Sequence, residues 1–198
     1  SINRLAPASC YPYIDGNAKK YIVPIYPQYH TELLPDSILR TESPMNFVEN
    51  RPNRNAIRKG YISRSIFRDL EPGDIIVFYR TSSGGPAHYT SVATSIGVVE
   101  SVVKTCKSFE HFCEACGRVT VFSNEELRKH WDYNRSCRPF VVRFLYTYSL
   151  PKRPNLATLK DNNIIVEAPR GFELITDVAF ARLLRISNAQ DRDRFIVY

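Results

Sequence analysis

Residues 54–103 constrain this chain most. Residues 56–62 read as a strand, and residues 63–70 as a short helix with Arg64 and Arg68 on its basic face. Glu71-Pro72-Gly73-Asp74 is a turn: proline presets φ and glycine supplies the left-handed position. Residues 75–79 are apolar on both faces and predict a central strand. Residues 81–87 hold Gly84-Gly85-Pro86 and read as a loop. Residues 88–103 read as one long strand, and Gly97 within it predicts a bend or bulge, a device that closes small barrels. Nothing in this stretch reads as a nucleoside-triphosphate or dinucleotide site.

The flanks are less regular. Residues 1–20 lack periodicity and read as an arm or linker. Residues 21–26 form a short strand broken by Pro24, hence an edge strand or a strand end. Residues 27–53 carry Pro27, Pro35, Pro44 and Pro52 and admit only short helical turns, as around 37–40. Residues 108–116 predict a helix ended by Gly117, and residues 119–122 a strand-like or extended piece. Ser123 and Glu126 form a capping box that opens a helix to about Trp131. Residues 138–150 alternate, with Phe140, Val142, Phe144, Tyr146 and Tyr148 on one face and Arg143 and Thr147 on the other. Residues 154–160 suit a helix start, and residues 176–184 an amphipathic helix capped by Thr176 or Asp177. Phe172, Leu174, Phe180 and Leu184 are expected to pack that end onto the body. The sum is an α+β fold: a mixed β-barrel of about six strands with short peripheral helices and a helical C-terminal extension. The expected division is an arm over 1–20, a barrel over 21–150 and the extension over 151–198.

A chain of 198 residues can bury one sizeable core. No apolar run approaches the ~20 residues that span a bilayer, and residues 1–20 hold no signal-peptide h-region, so a cytoplasmic location is expected. The start at Ser1 is read as the trace of processing or of a longer parent chain. Net charge is +7, with more Arg than Lys, which favours phosphate and base contacts. Five cysteines, an odd number, favour reduced thiols or a metal over disulfides.

Three motifs in order resemble the PUA-like superfamily, in its ASCH, EVE and YTH branches. They are Asn55-Ala56-Ile57-Arg58-Lys59, then Leu70-Glu71-Pro72-Gly73-Asp74 with its strand to Tyr79, then Ala93-Thr94-Ser95-Ile96-Gly97-Val98-Val99-Glu100. The first looks like a degenerate form of the ASCH K-x-x-E-x-R strand. The likeness covers roughly residues 20–150. Pro151–Asn155 and Ala168–Phe172 resemble a C-terminal extension of PUA-like segments fused to GNAT-type acetyltransferases. No acetyl-CoA-binding glycine-rich loop accompanies them, so acetyl transfer is not expected.

The resemblance implies a barrel that binds RNA or a modified nucleobase. Carried over, its ligand residues are Arg58, Lys59, Tyr61, Ser63, Arg64, Tyr79, Arg80, Thr81 and Ser82. The physical case runs alongside. Arg and Lys neutralise phosphate, Tyr rings stack on bases at ~1–3 kcal/mol each, and hydroxyls read base edges. The alternative reading is a solvated basic face balanced by Glu71 and Asp74, with Tyr79 in the core.

A hydrolase acting on a modified nucleoside or RNA is the second reading, with Lys59, Thr81 or Thr94, and Glu100 as its catalytic groups. The third is a regulatory domain for a fused or neighbouring enzyme. No cofactor is expected. His30, His88, His111 and His130 sit in no nucleophile motif. Cys113, Cys116, His130 and Cys137 have the look of a structural zinc knuckle. The same spacing also suits Cys113 and Cys116 as i, i+3 neighbours on a core-facing helix.

Overall fold

A computed structural model describes residues 3–37, 39, 56–117 and 119–198. The expected turn over 37–40, the prolines at 44 and 52, and Asn55 of the first motif lie wholly or partly outside those residues. In chain order the elements are α1 (Pro7–Cys10), β1 (Ile14–Asp15), β2 (Lys20–Ile25), α2 (Pro27–Leu33), β3 (Arg58–Ser63), β4 (Ile75–Arg80), α3 (Ala87–Thr90) and β5 (Val92–Val103). There follow α4 (Phe109–Cys116), α5 (Asn124–Asp132), β6 (Phe140–Ser149), α6 (Leu156–Asp161), β7 (Glu173–Ile175), α7 (Asp177–Ile186) and β8 (Ile196–Val197).

Six strands form one mixed sheet in the order β3-β6-β5-β4-β2-β7, and β1 pairs with β8 apart from it. Only β2 and β4 are parallel neighbours within the six. Every residue of β4 is buried, as its two-faced apolar pattern predicts. Pro24 sits past the last residue that β7 pairs, so its missing N–H falls on an unpaired edge.

The sheet curls into a half-barrel because β5 is irregular against both neighbours. The register shifts between Phe78 and Tyr79 on one side, and between Ile96/Gly97 and Val99/Ser101 on the other. The curl brings β3 back toward β2, where the Tyr61 hydroxyl donates to the Pro24 carbonyl at 2.7 Å. Gly97 is needed for the close approach of β6: a Cβ there would lie 2.7 Å from Phe144 Cδ2 and 3.1 Å from the Leu145 carbonyl oxygen. Gly97→Ala is therefore expected to cost about 1–3 kcal/mol of stability, measured by denaturant unfolding.

Three apolar clusters hold the layers. One joins the outer face of the sheet to α6 and α7 through Tyr79, Ile96, Leu159, Phe180 and Leu183. The second fills the curl with Tyr21, Phe78, Phe140, Phe144 and Phe172. The third seats α4 and α5 through Phe112, Cys116, Leu127 and Trp131. A fully buried Leu or Phe supplies ~1.5–3 kcal/mol, so α7, with Phe180, Leu183 and Leu184 inward, is well anchored.

Helix signals read from sequence hold closely. The Ser123–Glu126 capping box is formed. Gly117 ends α4 at φ 50°, and Thr176 caps α7 by accepting from the Ala179 amide at 3.1 Å. Four expectations need correction. Residues 63–70 are not helical: the Ser63 and Ser65 hydroxyls accept from the Ser65 and Phe67 amides, offering the backbone an alternative to a helix. The long strand starts at Val92, because Ala87–Thr90 makes a helical turn after Pro86. Residues 119–122 join no strand; one backbone bond, Gly60 N–H to Val119 O at 2.7 Å, links them to β3. Leu174 is 66% exposed on the edge strand β7, and Ile175 turns inward instead.

Candidate functional site

The seam where β3 fails to meet β2 opens into a cavity of about 970 Å³. Its walls include Tyr26 and Tyr29 after β2, Tyr61, Ser63 and Arg64 on or just after β3, Thr81 after β4, Phe122, one face of α5 and its C-terminal end, and the turn at 169–171. From α5 come Glu126, Lys129, His130 and Tyr133, spaced i, i+3, i+4 and i+7 and so on one helical stripe. Gly171 packs against Ser65, whose Oγ would lie 3.0 Å from any Cβ placed there.

The cavity is both aromatic and cationic. Phe122 lies between Tyr29 and His130, with ring centroids at 4.5 and 4.6 Å. The Arg64 guanidinium stacks on Tyr133 at 4.0 Å, and Lys129 and Arg170 add two more cations. Glu126, the acidic group on the wall, is engaged: its Oε2 accepts from the Ser123 amide at 2.8 Å and the Ser123 hydroxyl at 3.0 Å. Burial, then the nearby Arg64 charge, holds His130 below its ordinary pKa. Burial pushes the Tyr61 phenol well above its ordinary value, so it stays protonated and donates to Pro24.

A second polar constellation lies inside the fold. His30 Nε2 meets Thr94 Oγ1 at 2.8 Å, and Thr94 meets Ser95 at 3.3 Å. Ser95 meets Ser37 at 2.5 Å, Ser37 meets Ser149 at 2.8 Å, and Ser149 meets the Tyr146 hydroxyl at 2.8 Å. Lys59 is buried on β3, where burial lowers its pKa to about 8, partly opposed by Asp36. The Ser149 hydroxyl also donates to the Asp36 carbonyl, which ties this chain to the turn beside Lys59. Burial, then Arg80 and Arg153, lowers the His30 pKa to about 3.

Of the ligand residues expected from sequence, Tyr61, Ser63, Arg64 and Thr81 line the cavity together. Arg58 points to solvent and pairs with Glu100 at 2.8 Å. Tyr79 and Arg80 are buried, at 1% and 3% exposure, and Ser82 closes its own loop by donating to the Gly84 carbonyl. The groups considered for hydrolysis have separate surroundings: Lys59 is buried, Thr81 lies on the cavity wall and Glu100 holds Arg58, while Thr94 belongs to the hydroxyl chain.

Among the described residues no three His, Cys, Asp or Glu side chains converge to hold a metal. Cys113 and Cys116 pack in the third cluster on one face of α4, and burial pushes the Cys116 thiol up to about 12. His130 belongs to the ring cluster, and Cys137 accepts from Arg68 at 3.5 Å. Among the described residues no helix is long and apolar enough to cross a membrane.

No protein-family model matches the chain, and no curated protein does. Solved structures do. The crystal structure of ASCH from Zymomonas mobilis aligns with TM-score 0.57 at 13% identity, over 85% of this chain and 95% of that one. A serine-to-alanine variant of the same protein gives 0.58 at 13% identity, over 86% and 97%. Human THYN1, in complex with DNA containing 5-methylcytosine, aligns more loosely, with TM-score 0.46 at 11% identity over 86% and 98%. At these identities the likeness is one of fold.

Proposed function

The chain has the PUA-like fold of an ASCH domain, and on it we propose that the seam cavity binds a nucleotide of a nucleic acid. The base enters among Tyr29, Phe122 and His130, and the flanking phosphates meet Arg64, Lys129 and Arg170. One observation carries this reading: three cations and a wall of rings, delivered by separate elements, converge on a single cavity of about 970 Å³. That volume lies at the upper end of small-molecule sites. Tyr133, 71% exposed beneath Arg64, offers a stacking surface at the rim.

The test is fluorescence anisotropy with labelled single-stranded RNA and DNA hexamers. Affinity is expected to fall steeply as salt rises from about 50 to 200 mM, and Tyr133→Ala is expected to weaken binding about fivefold or more. Absence of binding by either hexamer at low salt would remove the reading and leave a domain that serves a partner enzyme.

A hydrolytic reading is favoured by a different observation, the buried Lys59 amine that feels the charge of Asp36, whose carbonyl accepts from Ser149 of the hydroxyl chain. An amine with a pKa of about 8 is partly neutral at working pH and can accept a proton from a hydroxyl or water. Under this reading Lys59 is the base, and acetylated or otherwise modified nucleosides are the substrates. Mass spectrometry after incubation with such nucleosides decides the matter: turnover that disappears in Lys59→Met supports it, and no turnover by the native chain ends it.

A further inference from the structure

Ile66 is 89% exposed, and its place in the chain sets it at the lip of the cavity. Arg64 and Ser65 line the wall, and Ile66 follows them directly. Side chains alternate along this stretch: Arg64 and Ile66 are exposed, whereas Ser65 and Phe67 are half-buried. Hydrogen bonds hold the loop in that form. Ser63 Oγ accepts from the Ser65 amide and Ser65 Oγ from the Phe67 amide, each at 3.1 Å. The Phe67 ring packs on Tyr21 with centroids 5.4 Å apart. Arg68 donates to the Lys104 carbonyl and, at 2.6 Å, to the Arg138 carbonyl. Ile66 thus stands between anchored neighbours, and its apolar surface stays in water.

A second loop, residues 133–138, is braced against the first. Asn134 Oδ1 accepts from the Ser136 and Cys137 amides at 2.9 and 3.2 Å. The Cys137 thiol donates to the Arg64 carbonyl at 4.0 Å, and its sulfur accepts from Arg68 at 3.5 Å. Tyr133, at the start of this loop, carries the Arg64 guanidinium on its ring. The two loops make one lip, on which Arg64 links an exposed phenol to an exposed isoleucine.

In the nucleotide reading, on which this inference rests, Arg64 meets a phosphate that flanks the bound unit. That phosphate is shared with the next nucleotide, so the next base comes to rest beside Arg64. We propose that Ile66 and Tyr133 form a second subsite there, for the base adjacent to the one in the cavity, and that the occupant is a single strand. Base faces are apolar and pack on rings and on aliphatic side chains. A single strand presents that face free, whereas in a duplex it is already stacked. Contact of this kind reads the presence of a neighbouring base and not its identity.

Two single-stranded DNA hexamers test this with the full chain, by fluorescence anisotropy at low salt. One is complete; the other keeps one base and is abasic elsewhere, with the same phosphates. The native chain is expected to bind the complete hexamer about tenfold tighter or more. Ile66→Ala is expected to cut that preference about threefold, and Ile66→Phe to keep it. The complete hexamer can bind in more registers, but that factor is the same for every variant and cancels. A native chain without the preference, or an unchanged preference in Ile66→Ala, overturns the subsite and leaves the cavity reading intact. So does an Ile66→Ala chain that loses affinity for a DNA duplex but not for the single strand, which would make Ile66 a wedge between paired bases. Binding of neither hexamer takes both readings down.

Discussion

Replacing Arg64, Lys129 and Arg170 together by alanine is expected to weaken binding of a single-stranded hexamer about a hundredfold. The three side chains come from the end of β3, from α5 and from the turn at 169–171, so no one element's displacement explains their convergence. A hydrogen bond to a charged group contributes about 1.5–3 kcal/mol when sheltered. All three side chains are exposed, so each contact is worth less, about 1 kcal/mol. Three such losses sum to about 3 kcal/mol, and 1.4 kcal/mol is a factor of ten. The salt dependence gives a second reading of the same variant. Each phosphate contact on a single strand contributes about −0.7 to the slope of log K against log salt, so the slope should become shallower by about 2. Arg58→Ala is the control: that side chain is 61% exposed and paired with Glu100, so its loss should leave affinity within about twofold. A folded triple variant with native affinity and native salt slope would show that the cations at the seam do not contact phosphate.

Much of the architecture was written locally. Residues 75–79 have no polar face at all, which only a strand covered on both sides tolerates. The Ser123–Glu126 box and Gly117 mark helix ends by hydrogen bonds within a few residues, so they need no knowledge of the fold. Residues 63–70 failed for the converse reason: serine-to-backbone bonds compete with a single helical turn, and periodicity over eight residues cannot weigh them. The site divides along the same line. Tyr61, Ser63 and Arg64 are neighbours in sequence and were legible as a group. Tyr79 and Arg80 were grouped with them as ligand residues but lie on β4, whose two buried faces erase the alternation that would have shown where each side chain goes. Tyr29, Phe122 and Arg170 reach the cavity only through the curl of the sheet, and nothing local announces them. One signal was available. Glu126, Lys129, His130 and Tyr133 form an i, i+3, i+4, i+7 stripe on a short helix otherwise anchored by Leu127 and Trp131. A polar and aromatic stripe beside an apolar one marks a helix whose second face has its own task.

The buried hydroxyl chain leads to the other large effect, a loss of stability in mild acid that is specific to His30. This side chain is 0% exposed and bonded to Thr94 at 2.8 Å. Its Nδ1 has no partner, so a second proton would bring an unpaired donor and a charge into the interior together. The folded pKa is about 3, against about 6.5 for an unperturbed imidazole. Between those values the unfolded chain binds a proton that the folded chain refuses. Stability therefore falls as pH drops below about 6.5, by up to about 1.4 kcal/mol per pH unit, and the loss levels off below pH 3. From pH 7 to pH 5 the expected loss is about 2 kcal/mol. His30→Gln keeps an amide able to bond Thr94 and removes the titration. Asp74, held above its ordinary range by burial, and His130, held below, titrate in both proteins and cancel in the comparison. Denaturant unfolding at the two pH values should therefore show the native chain losing about 2 kcal/mol more than the variant. Equal losses would mean that the folded chain accommodates a charged His30. The interior around Thr94 would then be wetter and more open than the hydroxyl chain implies.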